Sequence, residues 1–395
     1  MQRISIDKLK LQIHGSSDYA LMNRLIGYVP KSFVEAKSIT ELALYEDEFY
    51  NYKPALLLVH VDKQIVQTVI ASFPVAEEIT FDCYGLKNIY MSGLPKLITF
   101  VLLPNPTLES FEMEAPNLKK LTLNLPNLTD KWLHSILSKY PLIESLSLIT
   151  CKMLKRIKIS SDRMKSLTIC HCKKLVEVDI AAPNLHKLSY KFGDVISISS
   201  NTLALSEVIL IFKSNNAPLD AEKIEFLAKL NHPKLLTWII TYVKNVIAPK
   251  ELRETLRSPS YNVKQLKLTI EHLCEIYEIT ELVDALLWIF PLLETHFIQW
   301  TEDDNRYYNT IHEISFQFSY ENHVRKGENL NCCKFLPVSC WRHCLKTIKI
   351  EESEASAYVK PLETYFIKNA EILRSIQYSE GLVLLKQDKD QELEL

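Results

Sequence analysis

A short hydrophobic pattern, leucine-x-x-leucine-x-leucine with conservative replacements, recurs across the middle of the chain. It begins at Leu97, Leu118, Ile143, Met164 and Leu185, so the intervals are equal except for one longer coil between Leu118 and Ile143. A fixed period of this kind is typical of solenoids, in which each coil can bury its apolar face only against neighbouring coils. The pattern therefore predicts an α/β fold, a leucine-rich-repeat solenoid built on parallel strands.

Weaker copies of the pattern lie about halfway between the strong ones. They begin at Leu86, Leu108, Leu154 and Leu175. A half-coil of this length has room for a strand and a turn but not for a helix of several turns, because a helix rises only about 1.5 Å per residue. We therefore expect strands on both faces of most coils, with only occasional helices.

The one longer coil contains the segment 129–137, which has the features of a short amphipathic helix. Thr129 can accept the first N-cap hydrogen bond, and the apolar residues Trp132, Leu133, Ile136 and Leu137 share one face. Such a helix is expected on the convex side of a solenoid. The patterns that begin at residues 118, 143, 164 and 185 should then form the concave sheet.

The whole chain divides into four predicted parts. Residues 1–37 form a strand–helix entry, residues 38–330 the solenoid, residues 331–380 a C-terminal block and residues 381–395 a charged, disordered tail. Periodicity further predicts helices near 16–28, 62–72, 220–230, 280–289 and 359–369, a strand at 235–240 and a polar loop at 301–310.

Side chains alternate along a strand, so residues between the inward leucines must face outward. Solenoids bind partners along extended concave surfaces, which makes these residues candidates for a binding face. The alternative is that small β-forming residues simply fit a crowded parallel sheet. The candidate concave face consists of Lys120, Thr122, Ser145, Ser147, Ser166, Thr168, Lys187 and Ser189.

The opposite half-coils should present a different, charged surface. The same register predicts Arg156 and Lys158 beside Glu177 and Asp179 on adjacent strands.

Composition narrows the possible functions. The 395 residues carry a net charge of −2 with mixed signs, which gives no electrostatic footprint for nucleic acid. Only 7 glycines occur, so a glycine-rich phosphate-binding loop is not expected.

The N-terminus lacks the apolar core of a signal peptide, and no apolar run approaches the roughly 20 residues that span a bilayer. These features predict an intracellular protein, cytoplasmic or nuclear, without a membrane partner.

Nine cysteines, an odd number, indicate free thiols in a reducing compartment. Cys170-His171-Cys172 resembles a metal-binding fragment, as does the group Cys332, Cys333, Cys340, His343 and Cys344, but neither shows the paired ligand clusters of a zinc site.

A turn position explains the first of these fragments better. Cys151 and Cys172 each stand three positions after the last strand leucine or isoleucine, as Asn105 does, and such a side chain satisfies backbone groups between coils. We therefore predict no metal site, no cofactor and no catalytic residues, and an enzyme is not expected.

The chain resembles plant F-box/leucine-rich-repeat proteins, in particular those that end in an F-box-associated FBD domain. The resemblance covers nearly the whole sequence, and the combination of repeats with the end block makes it fairly specific. It is carried by residues 36–44, 115–118, 151–160, 172–180, 182–185 and 193–197, and by the end block at 340–350 and 366–373.

This resemblance implies a function that periodicity alone does not. Such proteins hold a target on the solenoid, while an N-terminal F-box docks the adaptor of a cullin-based ubiquitin ligase. Nothing like an F-box precedes the opening segment MQRISIDKLKLQIHG, so adaptor binding is expected only if the full product contains one. The sequence thus leaves two hypotheses: the substrate-recognition part of an F-box-type ligase receptor, or a stand-alone scaffold without ligase association.

Overall fold

A computed structural model of the chain describes residues 8–14, 41–47, 77–81, 87–200, 205–212, 219–230, 233–247, 253, 263–272, 278–302, 310–321, 340–352, 356–378 and 381–384. The chain divides into two compact units, residues 1–185 and 186–395. The helices predicted near 16–28 and 62–72 lie outside the described residues, as do Cys332 and Cys333.

The described part of the first unit consists mainly of short strands. In chain order its elements are β1 (Lys8–His14), β2 (Glu41–Asp47), β3 (Glu78–Phe81), β4 (Asn88–Met91), β5 (Thr99–Leu102), β6 (Ser110–Met113), β7 (Lys120–Asn124), α1 (Asp130–Lys139), β8 (Ser145–Ile149), β9 (Arg156–Ser160), β10 (Ser166–Cys170) and β11 (Glu177–Ala181).

Within this unit the strong repeats build one parallel sheet, hereafter the main sheet, in the order β1-β2-β3-β5-β7-β8-β10. The weaker repeats build a second face, where β4 pairs with β6 and β9 pairs with β11, also in parallel. The repeat residues of both faces point inward, since each of the following is at most 1% exposed: Leu121, Leu146 and Leu167 of the main sheet, Ile157 and Val178 of the second face. The predicted solenoid with strands on both faces is therefore confirmed.

Helix α1 takes the place of a strand in the second face. Thr129 caps it by accepting a hydrogen bond from the Trp132 amide at 3.3 Å, as the sequence predicts. At its other end the Tyr140 hydroxyl donates to the carbonyl of Met113 in β6 at 2.8 Å and accepts from the Met113 amide at 3.1 Å. Asp130 accepts from the Lys155 amide just before β9 at 2.9 Å. The helix thus lies between β6 and β9 and satisfies backbone groups of both segments.

The Ala-Pro-Asn-Leu turns link successive coils through their asparagines. The amide of Asn117 donates to the carbonyl of Pro95, and that of Asn184 to the carbonyl of Asp162, each at 2.7 Å and each one coil earlier. This geometry explains why asparagine follows proline at the turn: its short amide reaches a backbone carbonyl of the preceding turn.

The described part of the second unit has longer strands and more helices than that of the first unit. Its elements are β12 (Lys187–Gly193), β13 (Ser197–Ser200), β14 (Glu207–Phe212), α2 (Ala221–Lys229), β15 (Leu235–Tyr242), β16 (Gln265–His272), α3 (Glu278–Ile289), β17 (Thr295–Glu302), β18 (Thr310–Tyr320), α4 (Trp341–Cys344), β19 (Leu345–Glu352), α5 (Ser356–Asn369), β20 (Ser375–Tyr378) and β21 (Gly381–Leu384). The predicted strand at 235–240 is confirmed, as are the helices near 220–230, 280–289 and 359–369.

The end of the second unit departs from the prediction of parallel strands. Strands β12, β14, β15, β16 and β17 pair in parallel, but β18 runs antiparallel to both β17 and β19. The sequence analysis missed β18, although residues 313–320 alternate polar and apolar positions, because it lacks the leucine pattern. The loop predicted for 301–310 also begins too early, since β17 extends to Glu302.

The tail prediction is wrong for its first residues. Residues 381–384 form β21, which pairs antiparallel with β20. Residues 382–385 form a short continuous apolar run, and this strand signal precedes the charged residues on which the prediction of disorder rested.

A buried histidine interrupts the leucine positions of the second unit. The register aligns His296 of β17 with Leu266 and Phe316, and its ring stacks on Phe316 with the centroids 5.7 Å apart. Neither ring nitrogen has a hydrogen-bond partner within the described part of the chain, and the residue is 1% exposed. Burial lowers the pKa of His296 to about 3, so the ring is neutral in the folded protein at neutral pH.

Replacing Tyr140 by phenylalanine should lower the free energy of unfolding by roughly 1–3 kcal/mol, because both backbone groups of Met113 lose their partner. Denaturant unfolding measures the change. Tyr90→Phe is the matched control, since that hydroxyl belongs to an exposed residue and bonds to the Glu114 carboxylate. Equal effects of the two substitutions would contradict the bridging role of Tyr140.

Replacing His296 by leucine should stabilise the protein, most of all in acid. The unfolded chain binds a proton at His296 below a pKa of about 6.5, whereas the folded chain resists until about 3, so the histidine lowers stability as pH falls through this window. At pH 4 the difference amounts to roughly 3 kcal/mol.

Unfolding curves at several pH values between about 4 and 7 measure this effect. The variant should show a flatter pH dependence than the natural chain. His134→Leu, at an exposed position on α1, is the control. Parallel pH profiles for the natural chain and H296L would show that His296 is not buried as a neutral ring.

Candidate partner-binding face

The main sheet brings the predicted surface residues of the first unit into two rows. Strand register aligns Lys120, Ser145 and Ser166 in one row, and Thr122, Ser147 and Thr168 in the other, on β7, β8 and β10. Lys120 is exposed and the five hydroxyl residues are half-buried. This placement agrees with the outward register that the sequence predicts.

The two rows continue onto strands that the sequence analysis did not include in the site. Thr99 and Val101 of β5 align with Lys120 and Thr122, and Glu78 and Thr80 of β3 align with these in turn. The pattern that begins at Leu97 carried the necessary signal, since it fixes the same register. We name the first two outward positions of β3, β5, β7, β8 and β10 the hydroxyl face: Glu78, Thr80, Thr99, Val101, Lys120, Thr122, Ser145, Ser147, Ser166 and Thr168.

Small side chains dominate this face because the strands of a parallel sheet lie only about 4.8 Å apart. Short hydroxyl side chains project only a little from the sheet, so a partner can approach the strands closely and form hydrogen bonds with the hydroxyls. Backbone amides and carbonyls of these strands already pair with neighbouring strands. Recognition on this face must therefore come from the side chains.

A carboxylate forms ion pairs with two lysines at the start of the main-sheet strands. Glu144, which precedes β8, contacts Lys165 at 2.7 Å and Lys119 at 3.6 Å on the two adjacent coils. The hydrogen bond from Lys165 lowers the pKa of the Glu144 carboxyl. These ion pairs hold together the residues that precede the strands. Lys120 is then the exposed cation in the row that it forms with Ser145 and Ser166.

The remaining two predicted face residues belong to the second unit. Lys187 of β12 pairs with Glu207 of β14 at 2.9 Å and is half-buried. Ser189 is only 2% exposed, so the prediction that its hydroxyl lies on an open surface is wrong. Its register neighbour on β14 is Ile209, whose side chain is longer than that of serine.

The second face of the first unit carries the predicted charged surface. Arg156 lies opposite Glu177 and contacts it at 3.2 Å, and Lys158 aligns with Asp179.

The cysteines at the repeat turns act as backbone partners, which confirms the turn interpretation. The thiol of Cys151 donates to the carbonyls of Ile149 at 3.4 Å and Leu123 at 3.7 Å, and that of Cys172 to Cys170 at 3.6 Å and Leu148 at 3.8 Å. The hydrogen bond with the Cys172 thiol, together with burial, raises the pKa of Cys151.

Asn105 occupies the equivalent turn position two coils before Cys151. It is fully buried, and its side-chain oxygen accepts from both the amide and the hydroxyl of Thr107. Asparagine and cysteine at this turn are thus both buried and bonded to backbone groups, the asparagine as an acceptor and the cysteines as donors.

Sequence reasoning missed an ionic cluster in the second unit. Asp284 of α3 contacts Arg253 at 2.7 Å and Arg342 of α4 at 2.9 Å, and each guanidinium lies near a tryptophan ring, Trp288 and Trp341 respectively. Burial opposes ionisation, yet the two arginines lower the pKa of the Asp284 carboxyl. The members are far apart in the sequence, so no local pattern could reveal the cluster, which holds α3 against the C-terminal block.

Within the described ranges, no group of three or more His, Cys, Asp or Glu side chains gathers at a spacing suited to a metal ion. None of the helices described here combines the length and apolar character needed to cross a membrane.

Comparison with known proteins identifies the repeats. A search of curated proteins finds no match to this chain. The family model described as "At1g61320/AtMIF1, LRR domain" matches residues 34–344, well over half of the sequence. The matched range contains the two-faced coils of the first unit and most of the second. The chain belongs to the At1g61320/AtMIF1 leucine-rich-repeat domain family, and its architecture is that of a protein-interaction module.

Proposed function

We propose that this chain is the substrate-recognition part of an F-box-type, cullin-based ubiquitin ligase receptor. The observation that carries the proposal is the hydroxyl face, two rows of mostly short polar side chains on a repeat architecture suited to protein binding. The resemblance of the repeats and the end block to F-box/FBD proteins supports the ligase assignment. In this proposal other subunits perform the ubiquitin chemistry, and the chain itself is not an enzyme.

The shape of the hydroxyl face suggests how a target is held. Five adjacent strands present outward side chains at two successive positions, and the charged residues Glu78 and Lys120 lie in the same row. A target would donate and accept hydrogen bonds across the strands, while the two charges set its orientation. Such contacts favour an extended polar partner surface over a single deep pocket.

The C-terminal block contributes rigidity to the second unit. Residues 345–352 and 375–378 form neighbouring parallel strands, β19 and β20, and α5 packs its Phe366 against Trp341 and Phe318. Aromatic packing of this kind fixes the last strands of a repeat array, which would otherwise fray.

Co-purification with the ligase adaptor tests the ligase assignment. The tagged chain, expressed in plant cells as the full gene product, should bring down the adaptor and the cullin. If the product binds target proteins reproducibly but no adaptor, the chain is a stand-alone scaffold. If it binds neither, the proposal fails altogether.

Substitutions on the hydroxyl face test the binding surface. Ser147→Arg places a long cation in the middle of the face and should reduce target capture about tenfold or more, because a bulky charge at the centre of an interface removes several contacts at once. The matched control is Ser160→Arg, at the exposed end of β9 on the second face. Quantitative mass spectrometry of captured proteins measures both. Equal losses, or a loss confined to S160R, would contradict the assignment.

A further inference from the structure

Opposite charges face each other at several places on neighbouring coils of the first unit. Lys87 contacts Glu109 at 3.1 Å, Arg156 contacts Glu177 at 3.2 Å and Lys165 contacts Glu144 at 2.7 Å. In each pair the partners lie one coil apart in the sequence. Coil stacking brings equivalent positions of successive coils together. Two cations at such positions would therefore repel each other unless a carboxylate lies between them.

One corner of the first unit departs from this pairing. At the turns that lead from the main sheet into β9 and β11, and at the adjoining start of α1, five lysines are exposed, and within the described residues none has a carboxylate at ion-pair distance. We name this surface the lysine corner: Lys131, Lys152, Lys155, Lys173 and Lys174, together with the exposed apolar residues Met153 and Val176.

The contacts of the turns show that these side chains form one surface. The Lys174 ammonium lies 3.8 Å from the Met153 sulfur on the preceding coil. The Val176 amide donates to the Lys155 carbonyl at 2.9 Å, and the Lys155 amide donates to Asp130, the residue before Lys131. Two adjacent coils and the helix start therefore converge at this point.

Stacking places cations directly beside cations here. The register of β9 and β11 pairs equivalent residues of successive coils, so extension of it to the preceding turns aligns Lys152 with Lys173. The turn positions of Cys151 and Cys172 fix this alignment, because both thiols are buried and bonded to backbone carbonyls. The lysines cannot separate by moving the turns.

The apolar residues at the corner are more exposed than is usual for their type. Met153 is 45% exposed and Val176 is 57% exposed, and both lie among the lysines. Exposed apolar side chains within a charged rim are typical of protein interaction sites.

We propose that the lysine corner docks an acidic protein segment, an extended run of Asp and Glu side chains that also carries an apolar residue. Carboxylates would take the place that they occupy between coils elsewhere, and the apolar residue would cover Met153 and Val176. The segment belongs to a partner protein, and the docking site is separate from the hydroxyl face and does not depend on the ligase assignment.

The composition of the corner favours a peptide over other polyanions. Nucleic acid sites for single strands combine cations with aromatic side chains that stack on bases, and no aromatic residue occurs among the seven residues of the corner. Membrane-surface sites present bulky apolar and aromatic residues along a helix, whereas Met153 and Val176 lie at tight turns between short strands.

Fluorescence anisotropy with defined probes tests the proposal. The probes are a labelled short peptide of Glu and Asp with two leucines, the same peptide with serines in place of the leucines, a single-stranded DNA of equal charge, and vesicles that contain phosphatidylserine. The full chain should bind the leucine-containing peptide most tightly. Affinity should fall about tenfold in the double variant K152E/K173E, and should fall with added salt.

The matched control is the double variant K96E/R163E, which makes the same charge change at exposed turns that lie outside the lysine corner. It should bind the peptide as the natural chain does. Thermal unfolding of all variants checks that they fold. Equal loss in both double variants would show only non-specific attraction and overturn the proposal, as would tighter corner-dependent binding of DNA or vesicles. Equal affinity for the leucine and serine peptides would overturn the role of Met153 and Val176.

Discussion

The stacking of coils is the constraint on which the rest of this structure depends. Each coil has a hydrophobic interior that only its neighbours can cover, and each strand has backbone groups that only the adjacent strand can satisfy. Both needs are met when equivalent residues align, as Leu121, Leu146 and Leu167 do in the main sheet. Any change of coil length must then be absorbed without breaking the alignment. Helix α1 shows how: Tyr140 and Asp130 supply hydrogen bonds to the neighbouring segments that a strand would have made.

The same constraint explains how much could be predicted from the sequence. A side chain that recurs once per coil has one environment, so the pattern revealed the inward leucines, the outward hydroxyls and the turn thiols, while the cap at Thr129 followed from a local helix signal. Outside the repeat, the amphipathic helices of the second unit were predicted, but two strands were not. Strand β18 has strand character but no repeat signal, and β21 adjoins a segment whose charge suggested disorder.

Burial by residues that are distant in the sequence could not be predicted either. Ser189 occupies the same pattern position as Ser147 and Thr168, yet it is only 2% exposed. His296 occupies a leucine position as a neutral ring, which only its full burial explains. The cluster around Asp284 depends on chain segments brought together by folding. Burial and pairing of this kind depend on what packs alongside, and a repeat pattern carries no information about that.

Repetition also shapes the surface and therefore function. A polar row arises on the main sheet because small outward residues recur, and a lysine corner arises because basic turn residues recur without their acidic partners. Photo-crosslinking from single positions tests most directly whether the main sheet is the surface that holds a target. With a benzophenone amino acid in place of Ser147, the account predicts crosslinks to a captured protein, and none when the same group replaces Ser110 on the second face. Crosslinks from residue 110 and not from residue 147 would contradict it.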